Sequence, residues 1–162
     1  LYGTRTRVQM QKACPFELST FEGYCLLTSS FFSAYMTNTE HRLLQAERDK
    51  TEDNTIILHD FFYKNYDLKI KYDPSDPLKP FVEFDDQIIG STAEAFGTIY
   101  GNGKLMCTQP VAYDSYYNVW QKFVFLYSTI YVVGKGTVGT YVNILEWISD
   151  EEAEQYKKEE GL

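Results

Sequence analysis

The chain has 162 residues, a length typical of one domain, and its 44% hydrophobic and 23% charged residues indicate a folded, soluble globule. Its formal charge of −8 makes nucleic acid and anionic lipid poor partners, since both repel an acidic protein. No apolar run reaches the length that spans a bilayer, which argues against membrane insertion. The aromatic content of 17%, from 14 Tyr, 11 Phe and 2 Trp, favours β-sheet.

The first fifty residues predict an arm followed by strands. Residues 1–12 are polar with a small basic cluster, and we expect an N-terminal arm or an edge strand there. Residues 21–36 are rich in aromatic and hydroxyl side chains and predict one or two strands. Residues 39–50 fit a capped amphipathic helix, but Leu44 and Ala46 also alternate with polar residues as a strand would. We favour a short helix.

The middle of the chain carries stronger strand signals. Residues 54–63 begin with a continuous apolar run, and residues 66–72 alternate apolar with polar side chains over seven positions. A proline-containing turn follows. Residues 93–100 and 104–108 flank the sequence Gly-Asn-Gly at 101–103, which predicts a hairpin because such turns need positive φ.

The last third predicts more strands and a terminal helix. Residues 119–133 predict one long strand or a hairpin pair, and residues 137–147 predict another strand. Ser149 and Glu152 have the spacing of a capping box, so we expect a helix over residues 149–160. The sequence therefore predicts a single mainly β domain over residues 1–162, an antiparallel barrel or sandwich of six to eight strands with a C-terminal helix.

A glycine-rich motif lies near the C-terminus. Residues 134–139 satisfy G-x-G-x-x-G directly after an apolar strand. A dinucleotide site needs a helix to begin at that loop, so that its amides can bind the pyrophosphate. The following residues are strand-like, so we predict a glycine-rich hairpin or a barrel corner instead and no nucleotide cofactor.

Metal and acid–base sites have little support in the sequence. The histidines, His41 and His59, have no neighbouring set of ligands at metal-binding spacing, and the acidic stretch 73–86 lacks the calcium-loop pattern. His59 and Asp60 could form an acid–base pair, or His59 could simply be a partly exposed residue at a strand end. We expect no metal and no cofactor.

The three cysteines are Cys14, Cys25 and Cys107, and an odd number cannot be fully paired within one chain. Cys14 and Cys25 are either bonded or free, and we favour free buried thiols. We predict that Cys107 is buried and unpaired. The start at Leu1 rather than Met is compatible with export or organelle import after removal of an N-terminal segment, and the compartment stays open.

The densest aromatic block spans residues 113–131. Tyrosine suits a surface that is dry at one end and wet at the other, as in a pocket or an interface. Packing in the core is the competing role for the same residues. The candidate residues for binding a ligand or partner are Tyr113, Tyr116, Tyr117, Trp120 and Tyr127.

Several short segments carry a family resemblance. The segments are residues 58–61 (LHDF), 84–88 (FDDQI), 93–98 (AEAFGT) and 132–139 (VVGKGTVG). In this order they resemble the dirigent proteins and, more distantly, the allene oxide cyclases. The resemblance implies a cofactor-free, eight-stranded antiparallel barrel, often trimeric, with acidic residues near one mouth. The matching positions are Asp60 and Asp86.

Two functional hypotheses follow. The first is a non-catalytic binding or assembly module, which uses an aromatic-rich barrel surface or cavity to hold an apolar ligand or a protein partner, including further copies of the chain. The alternative is a cofactor-free dirigent- or cyclase-like barrel that acts on a small hydrophobic or phenolic substrate. Its catalytic groups would be His59, Asp60 and Asp86 around an aromatic cavity.

Overall fold

The computed structural model describes residues 15–31 and 39–161. The predicted arm at residues 1–12 and the thiol of Cys14 lie outside these ranges. A 3₁₀ turn, Leu18–Phe21, precedes the first strand. The strands are β1 (Gly23–Phe31), β2 (Thr39–Arg48), β3 (Thr55–Leu58), β4 (Leu68–Asp73), β5 (Phe81–Glu83), β6 (Gln87–Ser91), β7 (Lys104–Thr108), β8 (Ser115–Asn118), β9 (Phe123–Val132) and β10 (Gly136–Ile148). The helices are α1 (Thr92–Phe96) and α2 (Asp150–Glu160).

Eight strands close into an antiparallel barrel. Around the barrel their order is β10, β1, β2, β3, β4, β5, β8 and β9, and β9 pairs again with β10. The longest pairing joins β9 to β10 from Phe123 opposite Glu146 to Val132 opposite Gly136. Closure leaves no free edge around the main ring of strands, which protects the backbone polar groups of its members. The barrel and C-terminal helix confirm the predicted fold class.

The remaining two strands extend the sheet beside β9. β7 pairs with the second half of β9, and β6 pairs with β7. On its other side β6 approaches β4 through one side chain. The amide of Gln87 donates to the carbonyl of Lys69 at 2.8 Å and accepts from the Lys69 N–H at 2.9 Å. This side chain takes the place of a strand partner where the short strand β5 has already ended.

The barrel interior is a packed core. In β4 the burial alternates strictly, as the period-two sequence pattern predicts, so that Leu68, Ile70 and Tyr72 point inward. Phe21 lies over one end of the barrel, where its ring stacks on Tyr72 at 4.6 Å. At the opposite end Phe61, from the loop between β3 and β4, is fully buried. Among the described residues, apolar side chains from the strands and from both ends of the barrel therefore pack into its interior.

A small polar network lies within the core on three neighbouring strands, β1, β10 and β9. The hydroxyl of Ser29 donates to Oδ1 of Asn143 at 2.7 Å, and Nδ2 of Asn143 donates to Oγ of Ser128 and to the carbonyl of Leu126, both at 3.0 Å. Ser29, Ser128 and Asn143 are all buried. Because the amide of Asn143 is satisfied on both sides, its burial is compatible with a stable core.

The C-terminal helix α2 begins with the predicted capping box. Ser149 Oγ accepts from the N–H of Glu152, and the Glu152 carboxylate accepts from the N–H of Ser149, both at 3.1 Å. Ala153 is fully buried beneath the helix, and Lys157 lies over the ring of Tyr24 on β1 at 4.6 Å. The helix thus packs against the outside of the barrel.

Two local predictions were wrong. Residues 39–50 do not form a helix; the short helix lies at Thr92–Phe96 instead, and β2 spans Thr39–Arg48. As a strand, β2 supplies hydrogen bonds to both β1 and β3, which outweigh a weak helical preference. The prediction of a strand at 93–100 fails because Ser91 caps α1, and β7 pairs with β6 rather than with that segment.

The glycine-rich segment and the thiols match the sequence analysis. β9 and β10 form a hairpin, with Gly134 and Gly136 at φ of +77° and +99° in its turn. No helix begins there, so the segment lacks the geometry of a dinucleotide loop. Cys25 and Cys107 are free and buried, and burial raises the pKa of the Cys107 thiol to about 12.

Candidate functional site

The outer side of β5, β8 and β9 is covered by aromatic rings. On β9, residues at odd positions point outward, and the outward residues of β8 and β5 continue the same rows: Phe81 is opposite Tyr116, and Tyr116 is opposite Phe125. Tyr113, which precedes β8, stacks on Tyr127. We call this surface the aromatic wall; its members are Phe81, Tyr113, Tyr116, Phe123, Phe125 and Tyr127.

The rings of the aromatic wall pack against one another. Tyr116 stacks on Phe125 with centroids 5.1 Å apart, and Phe123 meets Phe125 edge-on at 5.5 Å. Tyr113 and Tyr127 stack at 5.2 Å. Contacts of this kind contribute about 0.5–1.5 kcal/mol each beyond burial of area, so they hold the rings in fixed positions. The wall is therefore an ordered surface.

The aromatic wall lies on the outside of the barrel and keeps part of its surface in solvent. Phe81 is 37% exposed, and Tyr116, Phe123 and Phe125 are half-buried. Trp120, in the turn between β8 and β9, is 69% exposed. Contiguous exposed rings on a sheet face are characteristic of interaction surfaces.

Tyr117 differs from the other predicted binding residues. It points inward from β8, is only 6% exposed, and its ring lies 5.2 Å from Tyr72 and 5.9 Å from Phe21. The structure thus places Tyr113, Tyr116 and Tyr127 in the aromatic wall, Trp120 beside it, and Tyr117 in the core. Because side chains alternate between the two faces of β8, Tyr116 points outward and Tyr117 inward, although both belong to one aromatic block in the sequence.

The side of the barrel that adjoins the aromatic wall, across the pairing of β4 with β5, is charged. We call the outer side of β2, β3 and β4, with the loops that follow β2 and β3, the charged wall. Its members are Glu47, Asp49, Glu52, His59, Asp67, Lys69 and Lys71.

Ion pairs and hydrogen bonds satisfy most of the charged wall. Lys69 Nζ lies 2.8 Å from Asp49 and 3.7 Å from Glu52. The hydrogen bond from Lys69, together with those from the N–H and hydroxyl of Thr51, holds the pKa of Asp49 well below its ordinary value. The same pairing raises the pKa of Lys69, against the opposing effect of burial. Lys69 therefore forms ion pairs with Asp49 and Glu52.

His59 is held between two carboxylates that the sequence did not associate with it. Its Nε2 lies 2.9 Å from Glu47 on β2, and its Nδ1 lies 3.2 Å from Asp67, just before β4. Partial burial opposes protonation, but the hydrogen bonds and charges of Glu47 and Asp67 outweigh it and raise the pKa of His59. His59 therefore links β2, the end of β3 and the start of β4.

The two carboxylates of the alternative hypothesis lie on exposed residues outside the core. Asp60, at φ +52°, accepts a hydrogen bond from the N–H of Asn65. Asp86 accepts from Thr108 at 2.5 Å and from the Tyr131 hydroxyl at 2.8 Å, which raises the pKa of Tyr131. Both residues are exposed; Asp60 accepts within its own loop, and Asp86 links the segment before β6 to β7 and β9.

A groove of about 440 Å³ opens beside β5, and its lining is polar. Lys69, Lys71, Glu83 and Gln87 contribute to it. Lys69 and Gln87 are already engaged by protein groups, whereas Lys71, Glu83 and Asp85 in the same lining form no ion pair among the described residues. Its polar, open shape does not match an apolar ligand.

The described residues contain no group of three or more side chains placed to hold a metal ion. Within this same part of the chain, every helix falls short of the length and apolar character that crossing a membrane requires.

The fold and the site define a class of protein: a closed antiparallel β-barrel with a filled interior and an aromatic outer surface. The chain belongs to the family described as "Domain of unknown function (DUF4984)", whose model matches residues 1–159. Comparisons with curated proteins and with solved structures gave no match.

Proposed function

We propose that this domain is a non-catalytic binding or assembly module and that the aromatic wall is the surface that binds a protein partner. The observation that carries the proposal is the outward position of Tyr116, Phe123 and Phe125, whose rings are ordered by mutual stacking although they lie outside the core. A ring that served only stability would gain more from full burial.

The filled interior favours a protein partner over a small apolar ligand. Small-molecule sites are concave and bury most of their ligand, whereas the aromatic wall is the convex outside of a barrel. Aromatic residues are enriched at the centres of protein–protein interfaces, where Tyr and Trp contribute large contact areas at a low entropic cost. Trp120, at the edge of the wall, adds such a residue.

The alternative, a dirigent- or cyclase-like barrel, has less support. It needs His59, Asp60 and Asp86 to converge on an aromatic cavity. Asp60 and Asp86 are exposed, and His59 is engaged by Glu47 and Asp67 on the outside of the barrel.

The test is site-specific photocrosslinking in cells that produce the protein. A benzophenone amino acid replaces Phe123 in one variant and Gln45, an exposed residue on β2 across the barrel from β8, in a matched control. We expect a discrete adduct from position 123 and none from position 45, because only the aromatic wall is covered by a partner. The mass of the adduct distinguishes a second copy of the chain from another protein.

Equal labelling from both positions, or no adduct from position 123 at any concentration, would contradict the proposal. Sedimentation of the purified chain over a concentration series gives an independent check. If a second copy is the partner, replacing Phe125 by Ser should shift the chain toward monomer, while Gln45→Ser on β2 should not.

A further inference from the structure

The barrel end that Phe21 covers contains two buried hydrogen-bond donors that no described residue satisfies. The hydroxyl of Tyr72 and the indole Nε1 of Trp147 have no hydrogen-bond partner in the described part of the chain, although the two residues are only 1% and 6% exposed. Burial, with smaller effects from nearby Cys25 and Tyr117, raises the pKa of Tyr72 well above its ordinary value, so its hydroxyl stays protonated. Nearly all buried polar groups in proteins have a partner, and an unpaired one lowers stability. Stability alone therefore does not explain why both donors are present.

The ring of Phe21 lies between these two donors. It stacks on Tyr72 with centroids 4.6 Å apart and meets Trp147 edge-on at 5.1 Å and Tyr117 edge-on at 5.9 Å. Tyr72 is on β4 and Trp147 is on β10, which face each other across the closed barrel. Phe21 offers an aromatic face and edge but no acceptor, so it fills this space without satisfying either donor.

The segment that carries Phe21 is attached to the barrel mainly through its aromatic side chains. We call residues 16–22 the plug. Its described backbone hydrogen bonds outside the 3₁₀ turn join residues of the plug to one another and not to a strand. Within the part of the chain that the structure describes, its one ion pair to a strand joins Glu22 to Arg48 at 3.0 Å, and both side chains are partly exposed. Exposed ion pairs contribute little, so the plug is held chiefly by ring contacts.

The surroundings of the plug suit a rotation away from the barrel. Gly23, which joins the plug to β1, has a φ of +96°, and a glycine can change such a conformation at little steric cost. Hinges in proteins are often formed by small residues at the ends of strands and helices. On its outer flank, a groove of about 740 Å³ separates Phe16 and Leu18 of the plug from the loop between β2 and β3.

We infer that the plug is removable and that the barrel end beneath it binds a flat aromatic molecule that carries a hydrogen-bond acceptor. The ring of this molecule takes the place of the Phe21 ring between Tyr72 and Trp147. Its acceptor pairs with one of the two donors, which the ring of Phe21 cannot do. That added hydrogen bond is the difference in affinity that favours the open state when the molecule is present. The site is inside the barrel and is separate from the aromatic wall.

The experiment uses the full chain and a matched pair of probes. Acetophenone has a planar aromatic ring and a carbonyl acceptor, and α-methylstyrene has the same shape with a methylene group in place of the carbonyl oxygen. Binding is followed through the indole N–H signals in proton–nitrogen NMR spectra. Because the chain has 2 Trp, Trp147 reports on the barrel end and the exposed Trp120 reports on the aromatic wall.

We expect acetophenone to change the Trp147 signal in a saturable way and to leave the Trp120 signal in place. If the carbonyl accepts from Trp147, the N–H signal moves downfield with acetophenone but not with α-methylstyrene. If it accepts from Tyr72, Tyr72→Phe should bind acetophenone about fivefold more weakly and α-methylstyrene equally well, since only one neutral hydrogen bond is lost.

The plug is tested by Glu22→Gln, with Glu17→Gln as the matched control in the same segment. Glu22→Gln removes the ion pair with Arg48, so it should raise the fraction of open molecules and tighten acetophenone binding about twofold. Glu17 forms no ion pair among the described residues, so Glu17→Gln should bind acetophenone as the wild type does. The probe is uncharged, so the change in net charge has no direct effect on it.

Four results would overturn the inference: no saturable change at Trp147, a change at Trp120 alone, binding to which neither donor contributes, or equal effects of the two glutamate substitutions. Tyr72→Phe should also leave the urea midpoint at or above the wild-type value, because its hydroxyl has no partner to lose among the described residues. A clear fall would show that the hydroxyl is already satisfied, and the inference would lose its basis. Crosslinking from position 123 tests the proposed function separately from all of these results.

Discussion

The charged wall and the aromatic wall are neighbouring sides of one barrel, which meet where β4 pairs with β5, and their side chains face water in different ways. On the charged wall, Lys69 is matched to Asp49, and His59 is matched to Glu47 and Asp67. On the aromatic wall the rings contact one another, while Glu83, Asp114 and Glu146 have no ion-pair partner in the described part of the chain. The charged groups of the first surface are largely paired with one another, whereas the second keeps aromatic rings and unpaired carboxylates in contact with solvent. Substitutions on the charged wall should therefore affect stability, and those on the aromatic wall should affect binding.

The largest expected effect is a difference in the free energy of unfolding between substitutions of two neighbouring residues on β8, Tyr117 and Tyr116. Tyr117→Ala should lower the free energy of unfolding by about 3–5 kcal/mol, because it removes a buried ring that packs against Tyr72 and Phe21. Tyr116→Ala should lower it by only about 1 kcal/mol, the value of a stacked surface pair. Urea unfolding of the two variants measures both. If they cost the same, the division between an inner core and an outer binding surface is wrong.

A smaller effect is expected at Asp49, where the charged wall is best satisfied. Asp49→Asn removes the charge that pairs with Lys69 and weakens the acceptor that caps Thr51. We expect a measurable fall in the urea midpoint, smaller than that of Tyr117→Ala. Because the pKa of Asp49 is lowered in the folded chain, its contribution is present above about pH 4 and is lost as the pH falls further.

Glu146→Gln on the aromatic wall is the matched control for Asp49→Asn, since it removes one carboxylate that has no ion pair among the described residues. Its urea midpoint should stay at the wild-type value. A fall as large as that of Asp49→Asn would show that the two walls do not differ in the way described.

The smallest expected effect is a pH dependence at His59. The pKa of His59 is raised in the folded chain, so its stabilising contribution is complete below about pH 6.5 and disappears as the pH rises through the folded value. His59→Gln should therefore be less stable than the wild type near pH 5.5 and equal to it near pH 9. The difference should stay below about 1 kcal/mol, since the side chain is partly exposed and the charges are screened.

Unfolding curves of both proteins at several pH values measure this difference. The carboxylates that face His59 are Glu47 and Asp67, so Glu47→Gln with Asp67→Asn should abolish the pH dependence. A stability difference that grows toward high pH would reverse the sign and contradict the assignment.

Sequence patterns predicted the elements whose signals are local. The alternation of residues 66–72 became β4, and the Ser149–Glu152 pair became the cap of α2. A capping box and a period-two strand each depend on residues a few positions apart, so the chain needs no tertiary information to indicate them. The hairpin around residues 134–139 was predicted for the same reason.

The elements that were predicted wrongly are those whose conformation depends on pairing with segments distant in the sequence. Residues 39–48 form a strand because β1 and β3 flank them, and β1 comes from a segment with its own ambiguous pattern. The glycines at 101 and 103 do adopt positive φ, but the strand that follows them pairs with β6, which lies before the intervening helix α1. Local propensity cannot choose between partners separated by a dozen residues.

The density of aromatic residues in the sequence indicated a candidate site, but the sequence did not reveal all of its members. Tyr113, Tyr116 and Tyr127 were identified from their density, whereas Phe81 was not, since a three-residue strand gives too little alternation to reveal its outward side. The pairing of His59 with Glu47 and Asp67 was also missed. Both depend on the register between strands, which the sequence alone does not specify.

The side chain of Gln87 has a consequence for how this protein behaves at high concentration. Lys69 presents an N–H and a carbonyl at a place where β5 has ended, and an open pair of this kind is a template for β-augmentation by a foreign strand. By engaging both groups, the Gln87 amide leaves neither of them free to pair with a foreign strand. One amide thus closes this part of the sheet beyond the end of β5 to strands from outside.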